Sequence, residues 1–361
     1  MSKPGSNKSR VPLEDQIEVR LANDGDIDQI NAFYNRIYGK NRTKEQFIWE
    51  FNSSPAGKAL YIIAEHGTKI VGTQCAIPYY VVNGKNETIL SAKSEDTLVD
   101  PEYRGLSLFD KMYFLLFMEC RRVGIHFIWG FTYAQKPFVK LGFEIPFHAS
   151  MGLMVLKPFK AYTYYSQLAK NNSFFRKMKI FALCCKSSFD SLRLLLKSSA
   201  EVNCTEEKIA LNSTNLNYIK QKEQYGLKLD EAFLNYRMYH NPYSSNYHQL
   251  SINERGELKA SVFYTVNNGL CYLLHLYIKD LDSGKNLIRN LIKHDHLKNC
   301  FTIRFWGFQH NEELRKEEEL LRSLGFTFLK NGISFVGLSL DKEEMNWKNF
   351  LISRLASQGT D

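Results

Sequence analysis

One pattern occurs twice in this chain of 361 residues, and the repeat constrains the fold more than any other feature. Three short segments recur in the same order: 47–55 as 233–242, 129–131 as 306–308, and 141–143 as 324–326. In the first half 96 positions separate Phe47 from Phe143, and in the second half 93 positions separate Phe233 from Phe326. Ordered matches at near-equal spacing predict a diverged tandem repeat of two α/β units.

Residues 95–109 (EDTLVDPEYRGLSLF) have the pattern of a strand that leads through a turn into a helix. The apolar, partly β-branched pair 98–99 suits a strand, and Pro101 ends its hydrogen-bond ladder. Gly105 gives the backbone freedom just before a helix predicted from about residue 108 to residue 122. Amide groups at a helix start have no partner within the helix and bind phosphate groups. The stretch therefore predicts a site for a nucleotide-bearing cofactor.

A second predicted strand, 126–131, and a short helix that closes with Leu141-Gly142-Phe143 follow this stretch. Together these motifs resemble the GNAT acetyltransferase superfamily over roughly residues 16 to 157. The resemblance implies that the loop holds the pyrophosphate of acetyl-CoA, the acyl donor. The matching loop residues are Arg104, Gly105, Leu106, Ser107, Leu108 and Phe109. Ser107 stands where the family usually has a loop glycine, and Phe109 where it has Gly or Ala.

The repeat and the resemblance together predict an α/β (α+β) fold with two tandem GNAT-like domains, each a mixed, mostly antiparallel twisted sheet flanked by helices. The second copy reads YIKDLDSGK at 277–285, where the first copy has its Arg-Gly loop, so we expect one cofactor-binding domain and one degenerate domain. The predicted segments are a flexible N-terminus at 1–15, an acetyl-CoA-binding domain at 16–157, a basic helical linker at 158–201, the degenerate domain at 202–345 and a C-terminal tail at 346–361.

Acetyl transfer to an amine requires a base for the amine, a polarised thioester carbonyl and a proton source for the departing thiolate. The resemblance implies that backbone amides at Leu98 and Val99 face the donor, and that an acidic side chain upstream on the same strand is the base. Glu95 is our first candidate and Asp96 the second; alternatively both are ordinary polar residues of a strand end. Regular alternation would place the two carboxylates on opposite faces, with Thr97 on the side of Glu95.

The proton donor departs from the family pattern. Members often carry a tyrosine four residues before the closing glycine, and this chain has Phe138 there. Because a phenyl ring cannot donate a proton, the sequence points to Tyr133 or to solvent instead.

Two aromatic-rich segments are candidates for binding the acceptor. Trp49 and Phe51 lie in a segment that, in the family, sits near the acceptor cleft, and Tyr236 and Arg237 are the counterparts in the second copy. Aromatic faces suit sugar rings or apolar acceptors, and a guanidinium suits a carboxylate or phosphate, while core packing is the alternative. The FxxYR…NPY pattern of 233–243 looks like bacterial acetyltransferases associated with surface-polysaccharide synthesis.

Composition excludes several classes of protein. A hydrophobic content of 44% is ordinary for globular domains, no apolar run is long enough to span a membrane, and residues 1–10 lack the apolar core of a signal peptide. Seven cysteines without Cys-x-x-Cys spacing indicate neither a zinc site nor a disulfide framework, and no metal is expected. We therefore expect a cytoplasmic protein.

Charge is concentrated in one segment. Residues 157–197 contain nine basic side chains against Asp190 alone, so they carry +8 of the formal net charge of +9. This distribution argues against a nucleic-acid partner bound along a basic groove. Two helices would account for the segment, with their apolar faces either packed on the domains or, for residues 173–197, lying on an anionic membrane at the inner membrane face.

These observations lead to a functional prediction with two alternatives. The chain is predicted to be an acetyl-CoA-dependent N-acyltransferase that transfers acetyl directly to an amine of a small molecule or amino sugar. One alternative is an aminoacyl-tRNA-dependent transferase that builds peptide bridges on a cell-wall precursor, which the basic segment favours. The other is a non-catalytic GNAT-like binding module, which Ser107, Phe109 and Phe138 favour.

Overall fold

The computed structural model describes residues 13–169, 173–196, 204–205, 223–243, 246–329, 332–341 and 345–357. The helices are α1 (Ile27–Tyr38), α2 (Lys44–Phe47), α3 (Leu108–Arg122), α4 (Gln135–Lys140), α5 (Pro158–Leu168), α6 (Phe174–Leu196), α7 (Glu231–Leu234), α8 (Leu281–Lys293) and α9 (Glu312–Ser323). The strands are β1 (Ile17–Leu21), β2 (Leu60–His66), β3 (Lys69–Asn83), β4 (Thr88–Val99), β5 (Phe127–Thr132), β6 (Ser150–Val155), β7 (Cys204–Thr205), β8 (Tyr225–Leu227), β9 (Asn246–Glu254), β10 (Glu257–Asn267), β11 (Leu270–Ile278), β12 (Thr302–Gly307), β13 (Thr327–Leu329), β14 (Ser334–Ser339) and β15 (Phe350–Leu351).

The first of two units takes the described residues within 1–79, 90–130 and 339–342. Its strands follow the order β1-β2-β3-β4-β5, with β1, β2 and β3 antiparallel and β5 parallel to β4. Helix α3 buries Met112, Tyr113, Leu116 and Cys120 completely. A methyl group on Gly72 of β3 would lie 3.2 Å from the Met112 sulfur, so this glycine allows α3 to approach the sheet closely.

The second unit takes the described residues within 80–89, 131–338 and 343–361. Its large sheet has the order β13-β6-β12-β11-β10-β9-β7, in which β11 and β12 are parallel and the other neighbours antiparallel. Helices α6, α8 and α9 contribute Leu194, Leu287, Leu291 and Leu321 to a core shared with the strands. The predicted fold class, mixed α/β with mostly antiparallel sheets flanked by helices, is confirmed.

The two copies share local geometry at the segments that repeat in sequence. In each copy a short α-helix passes directly into a π-helical turn, at Ile48–Asn52 after α2 and at Asn235–Tyr239 after α7. Each copy also ends a helix on a glycine with a left-handed backbone, Gly142 (φ +91°) and Gly325 (φ +94°). In both cases the amide after the glycine donates to a carbonyl five residues earlier, which caps the helix.

The structure divides the chain differently from the predicted segments. Strand β6 was assigned to the first domain but pairs with β12 and β13 of the second unit. The predicted tail at 346–361 contains β15, which pairs with β8, and a buried Trp347. Backbone pairing joins strands that are far apart in sequence, and the repeat spacing does not reveal such an exchange. Residues 1–12 of the predicted flexible N-terminus lie outside the described residues.

The predicted helical linker at 158–201 forms α5 and α6 within the second unit. No helix among the described residues combines the length and apolarity that a membrane span requires.

Candidate active site

Strands β4 and β5 separate partway along their length. They pair from Ser91 with Phe127 to Lys93 with Trp129, and the recorded pairs end there although β4 continues to Val99. Gly130 follows the last pair, and a methyl group at this position would lie 3.1 Å from the Ser94 carbonyl oxygen. The segment of β4 from residue 95 to residue 99 therefore has no described backbone pairs with β5, so its backbone on that side is available to bind another group.

A bulge lies in β4 at the point of separation. Asp96 has a left-handed backbone with φ of +51°, which a non-glycine residue adopts at a cost of about 1 kcal/mol. Ser94 and Thr97 consequently face the same side, where the Tyr113 hydroxyl lies 2.7 and 3.4 Å from their hydroxyl oxygens. The regular alternation of side chains predicted for this strand is therefore wrong, because the bulge places Ser94 and Thr97 on the same face.

Asp96 lies in a buried ionic cluster. Its carboxylate accepts hydrogen bonds from the Arg42 Nη1 and Nη2 atoms, both at 3.1 Å, and from the Tyr61 hydroxyl. The Arg42 side chain is 2% exposed and also binds Asn31 Oδ1 at 2.7 Å and Glu50 at 3.3 Å. This network holds the bulge in a fixed conformation.

Aromatic rings surround the guanidinium of this cluster. Arg42 lies 3.8 Å from the ring centroid of Tyr34, 5.2 Å from that of Phe47 and 5.1 Å from that of Phe51. Cation–π attraction compensates part of the desolvation of a buried cation. Sequence reasoning missed both Arg42 and Tyr61, because neither belongs to the strand–loop–helix motif and their meeting with Asp96 depends on the fold.

Burial and charge oppose each other in this cluster. Burial raises the pKa of the Asp96 carboxyl, although Arg42 and Tyr61 act against that rise. Burial also raises the pKa of the Tyr61 hydroxyl well above its ordinary value, so Tyr61 stays protonated and donates to the carboxylate. For Arg42, burial lowers the pKa, but the interactions with Asp96, Tyr61 and Glu50 together outweigh that effect and the pKa is raised.

Glu95 has a different environment from its neighbour. Its side chain is 37% exposed, while the side chain of Asp96 is 3% exposed. The Glu95 carboxylate forms an ion pair with Lys93, whose own side chain is 2% exposed. Of the two predicted bases, Glu95 is therefore the one that solvent and a substrate can reach, and Asp96 is a structural partner of Arg42.

The predicted phosphate loop has an open, left-handed backbone. Gly105 has φ of +88°, and a methyl group built on it would meet no atom within 4 Å. Ser107 also has a left-handed backbone, with φ of +55°. A glycine would adopt this conformation at a free-energy cost about 1–2 kcal/mol lower than that of serine. Arg104, Gly105 and Ser107 are exposed, and Leu106 is half-buried.

The loop leads directly into α3 as predicted, and the helix bounds of residues 108 and 122 agree with the sequence analysis. Ser107 occupies the cap position without a side-chain hydrogen bond to the helix start. Leu108 is 2% exposed and anchors the first turn, while the Phe109 ring lies 4.7 Å from the Tyr113 ring along the helix. The cap position of α3 thus carries no carboxylate, although Asp110 lies in the first turn of the helix.

Asp100 anchors the other end of the loop. Its buried carboxylate accepts from Arg36 at 2.9 Å, from Lys69 at 3.2 Å and from the Glu102 amide at 3.2 Å. Burial raises the pKa of this carboxyl, but the hydrogen bonds outweigh that effect and the pKa is lowered. Sequence analysis did not single out Asp100, although an Asp before a proline is a common turn signal.

These features fit the nucleotide part of an acyl-CoA. A left-handed glycine with free space beside it, followed by a helix start, binds a pyrophosphate through backbone amides. The separated edge of β4, which includes the predicted positions Leu98 and Val99, offers backbone groups to an extended chain such as pantetheine. The Leu98 side chain is buried, so its contribution there would come from the backbone, as predicted.

The predicted acceptor-binding residues are buried. Trp49 is 4% exposed, Phe51 1%, Tyr236 5% and Arg237 0%. Phe51 packs against Phe47 and Tyr61, with ring centroids 4.7 and 5.2 Å apart. The structure therefore supports core packing for these side chains, which is the alternative left open by the sequence. Phe51 contributes to the site indirectly, because its ring contacts the buried Arg42 guanidinium.

The two π-helical turns show which residues of the repeated segments are structural counterparts. Aligning the two π-helical turns, Ile48–Asn52 and Asn235–Tyr239, matches Trp49 to Tyr236 but Glu50 to Arg237. The guanidinium of Arg237 donates to the carbonyl oxygens of Leu355 and Ser357 instead of facing solvent. The repeated segments, 47–55 and 233–242, differ in length by one residue, so a match of their sequences and a match of their π-helical turns differ by one position.

Tyr133 and Phe138 both lie in the second unit. The Tyr133 side chain is 75% exposed, so its hydroxyl is accessible to solvent. Phe138 is 7% exposed and packs edge-to-face on Phe143 at 5.2 Å, which leaves it a core residue of the helix cap. The role of Tyr133 as a proton donor stays a prediction.

Comparisons with known proteins agree with this architecture. Residues 18–145 match the family described as an acetyltransferase (GNAT) domain, whereas a comparison with curated protein sequences finds no significant match. The chain is similar to a conserved protein of Enterococcus faecalis V583 described as a probable N-acyltransferase, with 11% identity, a TM-score of 0.62 and coverage of 90% of this chain and 72% of that chain. It is also similar to a GCN5-related N-acetyltransferase of Anabaena variabilis, with 12% identity, a TM-score of 0.60 and coverage of 90% and 73%.

A third similarity is to a eukaryotic enzyme. Saccharomyces cerevisiae N-myristoyltransferase with bound myristoyl-CoA shares 14% identity with this chain at a TM-score of 0.58, over 95% of this chain and 88% of that chain. Identities this low show the fold alone, and the fold is that of N-acyltransferases. Residues 18–145 therefore match the GNAT domain family, and the chain over most of its length has a fold similar to that of these N-acyltransferases.

Proposed function

We propose that this protein is an acetyl-CoA-dependent N-acyltransferase that transfers acetyl directly to an amine of a small molecule or amino sugar. One observation supports it most: within the first unit, the open left-handed loop at Gly105 and Ser107 leads out of a strand that has separated from its parallel neighbour. Both elements offer backbone groups, so donor binding depends little on side-chain identity.

In this proposal the loop residues 104–109 bind the pyrophosphate and the edge of β4 binds the pantetheine. When bound, acyl-CoA supplies an activated thioester. Backbone amides near Leu98 and Val99 polarise its carbonyl, which is the largest electrostatic contribution that such a site can make. Because these amides belong to a strand, they are already oriented before the donor binds.

Glu95 acts as the general base and removes a proton from the acceptor amine, directly or through water. Its side chain is the accessible carboxylate at the point where β4 separates, and Lys93 orients it. Asp96 is a positioning residue, because its contacts with Arg42 and Tyr61 fix the bulge that turns Glu95 towards solvent. The departing thiolate takes a proton from water, and Tyr133→Phe tests the alternative from the sequence that Tyr133 is the source.

Calorimetry with acetyl-CoA tests the donor site. Wild type should bind, and Gly105→Trp should lose binding because an indole fills the open space beside the loop. Gly124→Trp is the matched control, since Gly124 has a similar φ of +79° and equally open surroundings but lies after α3. Equal loss in both variants would indicate a folding defect, and absence of binding to wild type would contradict the proposal and favour the aminoacyl-tRNA or non-catalytic alternative.

A longer acyl chain is the second candidate, favoured by the similarity to N-myristoyltransferase over 95% of this chain. Thiol release from acetyl-CoA and from myristoyl-CoA, measured with a panel of amines and amino sugars, separates the two donors. Turnover of acetyl-CoA supports the first proposal. Turnover confined to myristoyl-CoA would overturn the acetyl assignment and leave the acyltransferase assignment in place.

A further inference from the structure

Helix α6 carries an exposed apolar stripe along its whole length. Its members recur three or four positions apart, which places them on one face of the helix. They are Phe174, Met178, Phe181, Cys185, Phe189, Leu192 and Leu196. The exposed fraction is 71% for Phe174, 54% for Phe189 and 86% for Leu196. Large apolar side chains aligned in this way rarely remain in water without a binding partner.

A different face of α6 is buried, and it fixes the orientation of the helix. Cys184, Ser187, Ser191 and Leu194 are each at most 5% exposed. The Ser187 hydroxyl accepts a 2.9 Å hydrogen bond from the Val155 amide of β6, and Leu194 belongs to the core of the second unit. Phe181 of the stripe also packs edge-to-face on Tyr162 of α5, with ring centroids 5.5 Å apart, whereas Phe174, Phe189 and Leu196 remain more than half exposed.

Basic side chains flank the stripe with their own regular spacing. Lys179, Lys186 and Arg193 recur every seventh residue and are all exposed. The Arg193 guanidinium lies 4.4 Å from the ring centroid of Phe189, next to the stripe. Asp190 is the one acidic residue in the sequence of this helix. The solvent face of α6 therefore combines apolar side chains with a positive edge.

We propose that this face of α6 docks on the surface of an anionic lipid membrane. An amphipathic helix with aromatic and aliphatic side chains on one face and Lys or Arg beside them lies in the membrane interface, where anionic headgroups attract its basic edge. A second copy of the chain would bring two sets of like charges together along the same stripe, whereas an anionic surface neutralises them. Charge complementarity thus selects the membrane as the partner.

Sedimentation with lipid vesicles tests the proposal on the full chain. Wild type should bind vesicles of phosphatidylcholine with phosphatidylglycerol at least about tenfold more tightly than vesicles of phosphatidylcholine alone. Lys179→Glu/Lys186→Glu should weaken binding to the anionic vesicles about tenfold or more. Phe189→Ser/Leu192→Ser should weaken it to a similar degree, because it removes the apolar contact.

Matched controls separate the stripe from general surface properties. Lys85→Glu/Lys136→Glu makes the same change in net charge at exposed positions elsewhere, and Phe114→Ser/Met118→Ser removes two exposed apolar side chains from α3. Both controls should bind vesicles as wild type does. Acetyl-CoA binding should be unchanged in every α6 variant, so failure here is distinguishable from failure of the proposed function.

Two results would overturn the proposal. The first is equal or absent binding of wild type to neutral and anionic vesicles. The second is a dimer, detected by light scattering, that Phe189→Ser/Leu192→Ser dissociates, since a second copy would then cover the stripe.

Discussion

The two copies of the repeat have the same kind of strand–turn–helix segment, but their helix starts differ. In the first copy a methyl group on Gly105 would meet nothing within 4 Å. In the second copy the glycine of the corresponding segment, Gly284, lies inside α8, where a methyl group on it would clash with Ile278 and lie 2.8 Å from Leu320. Asp280 also caps α8, with its carboxylate accepting from the Ser283 amide at 2.8 Å. Among the described residues, the segment that leads into α8 has no left-handed glycine, and the Asp280 carboxylate binds an amide of the helix start that a phosphate would need.

The strands before these helices behave alike in the two copies. The recorded pairs of β11 with β12 end at Leu273 and Phe305 although β11 continues to Ile278, much as β4 leaves β5 after Lys93. Strand separation therefore belongs to the fold and occurs with or without an open loop. The comparison teaches that a few residues at the helix start, rather than the strand geometry, distinguish the copy that we propose as the donor site from the other copy.

The largest effect is expected from Glu95→Gln, which tests the chemistry that we propose for the first copy. It should lower kcat/KM by about 10²- to 10⁴-fold because the base is lost, while acetyl-CoA binding is preserved. Thiol release with an active amine measures it. Glu102→Gln is the control, since its carboxylate is 79% exposed in the same loop region. A Glu95→Gln enzyme with wild-type kcat/KM and pH profile would remove Glu95 from the mechanism.

Asp96→Ala tests the buried cluster that supports the first copy's bulge. It leaves the Arg42 guanidinium buried without its main partner, and we expect the free energy of unfolding to fall by about 3–5 kcal/mol. Urea unfolding measures the change. Arg42→Met/Asp96→Ala removes both charges, so the double-mutant cycle should show a coupling of about 1–3 kcal/mol. Additive single effects would mean that the two residues do not depend on each other.

Asp280→Ala tests whether the second copy can be opened. The helix loses its cap, so the free energy of unfolding should fall by about 1 kcal/mol. Acetyl-CoA binding to the second copy should still not appear, because the described segment before α8 has no left-handed glycine that would open a loop there. Calorimetry in a Gly105→Trp background isolates that copy. Binding regained there would show that the carboxylate alone closes the second site.

The smallest effects concern pH, where Asp96 and Asp280 should respond in opposite directions. Burial raises the pKa of Asp280, but the hydrogen bonds from Ser283 outweigh it and the pKa is lowered. Its stabilisation is therefore complete above its ordinary value of 3.8 and is lost as the pH falls through the lower folded value. Burial raises the pKa of Asp96, so its protonation favours the fold below 3.8 and this contribution is lost as the pH rises through the folded value.

Unfolding free energies of wild type, Asp280→Asn and Asp96→Asn between pH 3 and pH 7 measure these contributions. The difference between wild type and Asp280→Asn should shrink on acidification. The free energy of unfolding of wild type relative to that of Asp96→Asn should increase on acidification over the same range. Parallel curves for all three proteins would contradict both assignments.

Local patterns in the sequence determined a large part of this protein. The apolar strand pair at 98–99, Pro101 and Gly105 predicted the strand, the turn and the bounds of α3, because backbone preferences act within a few residues. The repeated Leu-Gly-Phe motifs likewise predicted two helix ends, since a left-handed glycine cap depends on its own neighbours.

Contacts between distant residues were decided by the tertiary structure. Arg42, Tyr61 and Asp96 are brought together by the packing of α2 against the sheet, and no local pattern encodes their meeting. The same holds for β6, which pairs with β12 and β13 across a long separation in sequence. Hydrogen bonds and ion pairs form wherever the fold places their partners, so the accessibility of Glu95 and the burial of Asp96 followed from the bulge and its surroundings.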